Sequence, residues 1–386
     1  MKKYILLIFI LFTLTGCYSY KELNTIAITS ALEVDKQNNE FILRMQVMNP
    51  QDLKEGNSKS EAPFIIYEGK DKTIMNAGHK LETVSSRLPY LYHMQILLLK
   101  ENVLYNDLDK ILDYLLRDQN IRNDFYIIIE KNNNDLISLT TPIVSISANA
   151  IKETLITNSK YYSTTLLVEY KELTSNYLNP NIELVLPSIE IIDNTNEDNE
   201  ISNTEKTSNF AKYKLSTLGI FKQNKFIGYL TEEESVAYNF ISGKINNYIL
   251  QYQCNNDKYI ALDIVSNKTS IELDNKKITI KINSKANINQ VDCNINIKDN
   301  KVIKEMENKA NKELYNQINT SLTNIITKYN SDIFGFKDIY YKKNYKYYQE
   351  IKDNYYEHFK NLDIDIKTNV KIISEGNTVE GVNEKN

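Results

Sequence analysis

The chain has 386 residues, 42% of them hydrophobic, and its 46 basic residues stand against 50 acidic ones, which gives a net charge of −4. This balance does not indicate a nucleic-acid partner, which would require a basic patch. The length exceeds what one ordinary hydrophobic core occupies, so about two or three domains are expected.

The N-terminus has the layout of a secretory signal peptide: two lysines, the apolar run Ile5–Phe12 and small residues before Cys17. The run is shorter than the roughly 20 apolar residues that span a bilayer. Leu-Thr-Gly-Cys at 14–17 resembles the bacterial lipobox, which implies removal of residues 1–16 and a diacylglycerol thioether on Cys17. The alternative is an ordinary signal peptide followed by an incidental or buried cysteine. Losing Lys2 and Lys3 reduces the basic count from 46 to 44, so the mature chain has a net charge of about −6.

Strands and helices alternate in the first half of the chain. Apolar residues recur at every second position from Phe41 to Val47, which indicates a half-buried strand. The predicted strands are two within 26–49 (with the turn in DKQNNE), Phe64–Tyr67, His93–Leu99, Phe125–Glu130 and IELVLPSIEI. The predicted helices are Asp71–Ser86, Asp107–Leu116 and 144–170. This alternation is typical of a mixed α/β domain.

Residues 193–209, DNTNEDNEISNTEKTSN, are polar and contain almost no large apolar side chains. Such a segment buries too little apolar surface to offset the entropy of ordering it. We interpret it as an interdomain linker or a long loop, and we favour the linker. The predicted N-terminal unit is then 17–192 and the C-terminal unit 210–376, followed by a polar tail, 377–386, that is expected to be disordered.

The second half predicts an antiparallel meander packed against long amphipathic helices. STLGIFKQNKFIGYL predicts a strand, a turn and a strand, and Thr231 with Glu234 predicts the start of the next helix. From Val302 to Ile325, apolar residues recur at spacings of four and then three, which indicates a helix with one buried stripe. The other predicted elements are strands at Ile260–Val265, Ile278–Ile282, Val291–Ile297 and LDIDIKTNVKII, and a helix at about 343–360. The predicted fold class is mixed α+β in several domains, with mixed sheets flanked by helices.

Two cysteines remain besides Cys17, namely Cys254 and Cys293. An exported chain can join them in a disulfide. In VDCNINI, however, Cys293 alternates with apolar residues, which fits the apolar face of a strand. We therefore favour two buried free thiols over a disulfide.

No recognised catalytic or metal-binding motif predicts a site in this sequence. The three histidines, His79, His93 and His358, lie in no paired spacing that is typical of metal ligands, and the hydrolase pattern GxSxG does not occur. The one concentrated charge cluster is RDQNIRNDF, which contains Arg117 and Asp118. It is interpreted either as a salt-bridged helix end that acts as a structural clamp or as a partner contact. We predict no enzyme activity, no cofactor and no metal site.

Five segments, in order, resemble the Ger(x)C family, the C subunits of spore germinant receptors. They are GCYSYKELNTIAITSALEVD, LYHMQILLLKENVL, LDYLLRDQNIR, LGIFKQNKFIGYLTEEES and NSDIFGFKDIYYKKNYKYYQEIKDNYYEHF. The chain departs from the family at Tyr18, where the family usually has tryptophan, and at Tyr348 and Tyr355, which stand for tryptophans of its last helical region. The order and spacing of the segments across nearly the whole mature chain make the resemblance specific.

The resemblance implies an α/β fold in several domains and a non-enzymatic lipoprotein on the outer face of the inner spore membrane. It also implies assembly with integral membrane A and B subunits and a role in nutrient-triggered spore germination. It identifies no ligand-binding residues, because nutrient recognition in the family is usually assigned to the membrane subunits. The alternative function is a solute-binding lipoprotein of a transporter, a class that also has a lipobox and two α/β lobes. A lipid-anchored enzyme is the least favoured class.

Overall fold

The computed structural model describes residue 22, residue 200 and the ranges 25–49, 62–119, 121–132, 135–193, 212–255, 257–274 and 277–374. The predicted signal peptide, Cys17, the tail 377–386 and nearly all of 193–209 lie outside these ranges. The described residues form two mixed β-sheets flanked by helices, which confirms the predicted fold class. Within the same ranges, no helix combines the length and the apolarity that a membrane span needs.

The first sheet contains strands from both halves of the chain. They are β1 (Ile26–Gln37), β2 (Glu40–Met48), β3 (Phe64–Asp71), β4 (Leu88–Tyr90), β5 (Ile96–Lys100), β6 (Tyr126–Glu130), β7 (Val185–Asp193), β8 (Lys212–Lys222) and β9 (Lys225–Tyr229). Their order is β3-β2-β1-β5-β6-β7-β8-β9, with β4 paired to β1. The central strands β1, β5, β6 and β7 run parallel, and the outer pairs on both sides are antiparallel.

Two tight turns connect neighbouring strands of this sheet. Asn38 and Asn39 join β1 to β2 with φ angles of 51° and 63°, and Gln223 and Asn224 join β8 to β9 with 51° and 61°. Two consecutive left-handed residues are typical of hairpin turns whose twist matches that of the strands, and asparagine tolerates this conformation well. Both turns lie where the sequence predicts them.

Helices cover both faces of the first sheet. They are α1 (Ile74–Val84), α2 (Glu101–Leu104), α3 (Leu108–Arg117), α4 (Ser147–Tyr161) and α5 (Tyr170–Leu178). In β5, Leu97 and Leu99 pack with α1, α3 and α5, whereas Ile96 and Leu98 pack with α4. Since successive side chains point to opposite faces, both faces of β5 are buried, and its sequence is a continuous apolar run.

The second half supplies α6 (Glu232–Ile241), α7 (Asn300–Asn324), α8 (Phe336–Lys343), α9 (Tyr345–Ile351) and α10 (Tyr355–Lys360). Helix α6 begins at a capping box. The Thr231 hydroxyl accepts from the backbone N–H of Glu234, and the Glu234 carboxylate accepts from the backbone N–H of Thr231 at 2.9 Å. Each bond satisfies a donor that a helix N-terminus leaves unpaired, and the predicted helix start is confirmed.

The second sheet has the order β10 (Tyr248–Asn255), β11 (Lys258–Asp274), β12 (Lys277–Val291) and β13 (Ile364–Ser374). The first three strands form an antiparallel meander, and β13 is parallel to β12. Helix α7 buries one stripe against this sheet, from Met306 through Leu314 to Leu322. The predicted amphipathic helix is confirmed.

Three predicted elements differ most from the structure in type or extent. Residues 292–297 form a loop, so the strand predicted at Val291–Ile297 does not exist; Ile295 and Ile297 pack against the second core from that loop. The helix predicted at 343–360 is divided into α9, a short 3-10 turn and α10. The helix predicted at 144–170 ends at Tyr161, just before Ser163 adopts a left-handed φ of 52°. Apolar spacing therefore identified buried positions correctly but not the backbone that carries them.

The structure corrects the prediction of two buried free thiols, because Cys254 and Cys293 form a disulfide. Cys254 lies near the end of β10 and Cys293 in the loop after β12, with Cα atoms 6.5 Å apart, which is within the span of a disulfide. Both residues are half-buried. The sequence did not indicate the pair because β10 and β12 approach each other only through their shared neighbour β11.

The strands on either side of the polar segment 193–209 are neighbours in one sheet. Strand β7 ends at Asp193 and β8 begins at Lys212, and these two residues are paired in an antiparallel register. The segment thus connects adjacent strands, as a long loop does, although we favoured a linker. The division of the chain into units 17–192 and 210–376 stays a prediction.

Candidate functional site

A groove of about 1120 Å³ lies between α1 and α3 on one face of the first sheet. Each helix buries an apolar stripe against the sheet, so more polar side chains remain for its outer surface. The groove is lined by Met75, His79 and Glu82 of α1 and by Tyr114 and Arg117 of α3, among others. The lining combines apolar side chains with charges of both signs.

Arg117, one of the two predicted site residues, lies on the rim of this groove. Its guanidinium pairs with Asp113 one turn earlier in α3, at 2.9 Å, and both side chains are mostly exposed. The hydrogen bond from Arg117 lowers the pKa of the Asp113 carboxyl. An exposed pair at this spacing contributes little to stability. Arg117 therefore does not form a buried clamp.

Asp118, the other predicted residue, follows the last residue of α3 and lines the same groove. Burial, followed by the charges of Asp118 and Glu82, raises the pKa of Tyr114 to about 12. His79 lies opposite on α1, with Nδ1 3.2 Å from the Glu82 carboxylate. Arg117 and Asp118 thus line the same groove as His79, which is far from them in the sequence.

A second feature is a buried charge network near the carboxyl ends of three parallel strands. It consists of Glu33 on β1, Lys100 on β5 and Glu130 on β6, whose side chains are at most 5% exposed. Lys100 Nζ lies 2.6 Å from Glu130 Oε1 and 3.5 Å from Glu33 Oε2. Arg44 of β2 approaches Glu33 from the other side, at 3.2 Å. One lysine therefore holds two buried carboxyl groups on either side of its own strand.

The two carboxyl groups of this network resist ionisation. Burial raises the pKa of Glu33, although Lys100 opposes the shift. Burial, followed by the charge of Glu33, raises the pKa of Glu130 well above its ordinary value. Glu130 Oε1 also accepts from the backbone N–H of Leu136 at 3.1 Å, which connects the network to the loop after β6. Burial therefore favours the neutral form of both carboxyl groups, whereas the charge of Lys100 favours the ionised form.

This network has almost no signature in the sequence. Its only signal is a charged residue at the end of an apolar strand, in ILLLK and YIIIE. Such a residue is usually a solvated strand end, because lysine and glutamate are rarely buried unless paired. Only the register of β5 and β6 shows that Lys100 lies directly opposite Glu130.

Tyrosine hydroxyls connect the segment before β7 to the C-terminal helices. Tyr348 donates to Asn181 Oδ1 at 2.9 Å, and Tyr356 donates to the Glu183 carboxylate. Buried tyrosine combines a large apolar surface with one directional hydrogen bond. These contacts, with the one that Tyr355 makes to Asp332, are named here the tyrosine seam.

Asp332 occupies the centre of the tyrosine seam. Its carboxylate accepts from the backbone N–H groups of Phe336 (3.0 Å) and Lys337 (2.7 Å), at the start of α8, and from the Tyr355 hydroxyl (2.6 Å). Gly335, at the N-cap of α8, has a left-handed φ of 73° that suits glycine. Burial raises the pKa of Asp332 to about 7, although the three hydrogen bonds oppose the shift. Its charge therefore changes in the neutral range.

The histidines stay apart in the fold. His93 ends a 3-10 turn before β5, and His358 packs between the rings of Tyr340 and Tyr347. Across the part of the chain that the structure describes, no group of three or more His, Cys, Asp or Glu residues is placed to hold a metal ion. Cys17, the predicted lipidation site, is outside the described residues.

Two family models match the chain in order. The spore germination protein N-terminal domain matches residues 19–191, and the domain described as spore germination B3/GerAC like, C-terminal, matches residues 216–376. The chain belongs to the Ger(x)C family of spore germination proteins. The resemblance stated from the sequence is thereby confirmed.

Known relatives of this Ger(x)C chain are spore germination proteins. Spore germination protein KC of Bacillus subtilis (strain 168) is 24% identical over 96% of this chain and 95% of the relative. Spore germination protein B3 of the same organism is 23% identical over 70% of this chain and 68% of the relative. The crystal structure of the GerBC protein matches with a TM-score of 0.52 and 18% identity, covering 89% of this chain and 96% of that chain. The structural match shows the fold, and the relatives support a role in germination.

Proposed function

We propose that the chain is a non-enzymatic, lipid-anchored subunit of a membrane germinant receptor that is required for nutrient-triggered spore germination. In this proposal Cys17 carries the diacylglycerol, and the protein lies on the outer face of the inner spore membrane. Integral membrane A and B subunits are its partners. The ordered match of two spore germination family models, to residues 19–191 and 216–376, is the observation that carries the proposal.

The groove between α1 and α3 is the proposed contact with the membrane subunits. Arg117 and Asp118 line it together with the 56% exposed side chain of Met75. An exposed thioether beside charges of both signs offers an apolar centre and a polar rim to a protein partner.

Cys17→Ala is expected to abolish the germination response, because two acyl chains hold a protein stably at a membrane and this variant carries none. The measurement is dipicolinate release from purified spores over a panel of nutrients. The strains are the parent, the deletion, and the deletion complemented with either the wild-type gene or Cys17→Ala. Tyr18→Trp, which leaves the cysteine in place, is the matched control and should respond like the parent.

Parental release by the Cys17→Ala strain would contradict the anchoring proposal. Parental release by the deletion strain for every nutrient would contradict the proposed receptor function. In that case calorimetry of the unlipidated chain against amino acids and sugars would test the solute-binding alternative, which predicts micromolar binding.

Arg117→Ala is expected to leave the free energy of unfolding close to that of the parent, because its pair with Asp113 is exposed. If the groove is the partner contact, the same variant should lose co-purification with the A and B subunits from spore membranes. Arg122→Ala is the matched control, since Arg122 forms a similarly exposed pair with Asp124. If Arg117→Ala co-purified with the subunits as well as Arg122→Ala and the parent do, Arg117 would be excluded from the contact.

A further inference from the structure

The face of the second sheet opposite α7 carries five lysines in three adjacent cross-strand rows. They are Lys268 of β11, Lys281 and Lys285 of β12, and Lys367 and Lys371 of β13. The other members of the three rows are serines and asparagines. Alternate residues of β12 are buried against the core, so the lysines between them point to solvent.

Two pairs of these lysines lie directly opposite each other. In the parallel register of β12 and β13, Lys281 faces Lys367 and Lys285 faces Lys371. Like charges in directly opposite positions destabilise a sheet. An anionic surface laid on this face would supply counter-charges to Lys285 and Lys371, which form no ion pair with a described residue, and would relieve the repulsion.

Acidic residues border this lysine face at both ends: Glu272 and Asp365 at one end, and Asp263, opposite Asn287 in the row beyond Lys285, at the other. Lys281 pairs with Glu272 at 2.6 Å and Lys367 with Asp365 at 3.6 Å, both in the next row. The remaining lysines of the face form no ion pair with any residue that the structure describes. The positive charge is therefore available to a partner.

A membrane surface fits the lysine face better than a protein does. Stable protein interfaces have aromatic, methionine or arginine side chains at a centre that is depleted of lysine, and the three rows contain only lysine, serine and asparagine. Anionic headgroups require only charge, and each lysine near them contributes about fivefold to partitioning.

The rest of the molecule repels an anionic surface. The mature chain has a net charge of about −6, so without the five lysines it carries about −11. An acidic body with one basic face is oriented by an anionic membrane so that this face approaches it.

We propose that the lysine face binds the anionic phospholipid headgroups of the membrane that holds the protein, and so places the second sheet against the bilayer. The final orientation rests on the proposed lipid anchor at Cys17. The binding itself does not, because the unlipidated chain presents the same lysines.

The test is flotation of the unlipidated mature chain, residues 17–386 with Cys17→Ser, on two kinds of vesicle. One contains phosphatidylcholine with phosphatidylglycerol and the other phosphatidylcholine alone. Binding to the first and not to the second is expected, with a steep decrease as salt is added. The face variant carries four changes: Lys281→Gln, Lys285→Gln, Lys367→Gln and Lys371→Gln. It should lose at least about tenfold in partitioning.

A matched control changes net charge equally on the opposite layer, where exposed lysines lie along α7. It carries Lys301→Gln, Lys304→Gln, Lys309→Gln and Lys312→Gln. The control and a variant with arginine at the four face positions should both bind like the parent.

Equal losses in the face and control variants would overturn the proposal, as would a parent chain that ignores phosphatidylglycerol. Unchanged vesicle binding by the face variant would also overturn it. If the face variant then failed to co-purify with the A and B subunits from spore membranes, the face would be assigned to an acidic protein instead. Vesicle binding is measured without lipid anchor or partners, so its failure leaves the receptor proposal standing. A normal germination response in the deletion strain would contradict the receptor proposal without touching the vesicle result.

Discussion

Lys100→Met is expected to lower the free energy of unfolding by about 3–5 kcal/mol. Lys100 lies between two buried carboxyl groups, 2.6 Å from that of Glu130 and 3.5 Å from that of Glu33. Methionine fills a similar volume but leaves both without the cation between them. Removing one partner of a buried ion pair costs more than the intact pair contributes, because the remaining charge stays desolvated. Urea denaturation at neutral pH, followed by circular dichroism, measures the loss.

Lys110→Met is the control for this experiment. Lys110 also pairs with a carboxylate, Asp107, but its side chain is 55% exposed, and Asp107 keeps a second partner in Lys36. The expected loss is below about 1 kcal/mol. Similar losses in the two variants would mean that burial does not set the strength of the Lys100 network.

The penalty of Lys100→Met is expected to shrink as the pH falls. The native pKa values of Glu33 and Glu130 are raised above those of the unfolded chain. Each group therefore stabilises the fold below the unfolded pKa, about 4.3 for glutamate, and this contribution is lost as the pH rises through the native pKa. The variant lacks the cation that favours the ionised forms, so it depends on these protons more than the parent does. A difference that stays constant from neutral pH down to about pH 5 would contradict this account.

The features that the sequence predicted correctly depend on neighbours along the chain. The stripe of α7 follows from apolar residues at spacings of three and four, and the capping box from Thr231 and Glu234 three positions apart. The hairpin turns follow from polar residues between alternating strands. In each case the interacting groups lie within a few residues of each other, where spacing alone determines geometry.

The features that it missed depend on which strands become neighbours. Cys254 and Cys293 are 39 residues apart, and they meet because β11 lies between the strands that lead to them. Lys100 and Glu130 meet through the pairing of β5 with β6. In the same way, only the pairing of β7 with β8 favours a long loop over a linker for segment 193–209. Periodicity within a strand contains no information about its partner strand.

One wall of the groove contains the two residues that the sequence singled out, and their role as a partner contact stays a prediction. Arg117 and Asp118 were selected because charge is concentrated at the end of α3, and both line the groove. The other wall, with Met75 and His79, comes from α1, which packs on the same face of the sheet. A local charge cluster could indicate α3 but not the helix that would lie beside it.

Asp332→Ala is expected to lower the free energy of unfolding by about 3 kcal/mol or more. The substitution leaves three donors without their acceptor, the backbone N–H groups of Phe336 and Lys337 and the hydroxyl of Tyr355, and each unpaired buried donor costs about 1–3 kcal/mol. Tyr355→Phe is the control, since it removes only one of the three bonds and should cost about 1 kcal/mol. Thermal and urea unfolding of both variants measure the difference.

The same carboxyl group should make stability depend on pH. Burial raises the pKa of Asp332 to about 7, against about 3.9 in an unfolded chain. Because the native pKa is the higher one, the protonated group stabilises the fold below the unfolded pKa, and this contribution is lost as the pH rises through about 7. Between about pH 5 and about pH 8 the loss amounts to about 2–3 kcal/mol. Asp332→Asn keeps an acceptor but cannot ionise. Between about pH 5 and about pH 8 the stability of this variant should therefore fall by about 2–3 kcal/mol less than that of the parent. Parallel pH profiles of the two proteins would show that Asp332 is ionised throughout this range. In that case the tyrosine seam would hold the C-terminal helices equally well on both sides of neutrality. A flatter pH profile for Asp332→Asn than for the parent would mean that the seam of the parent loosens as the pH rises.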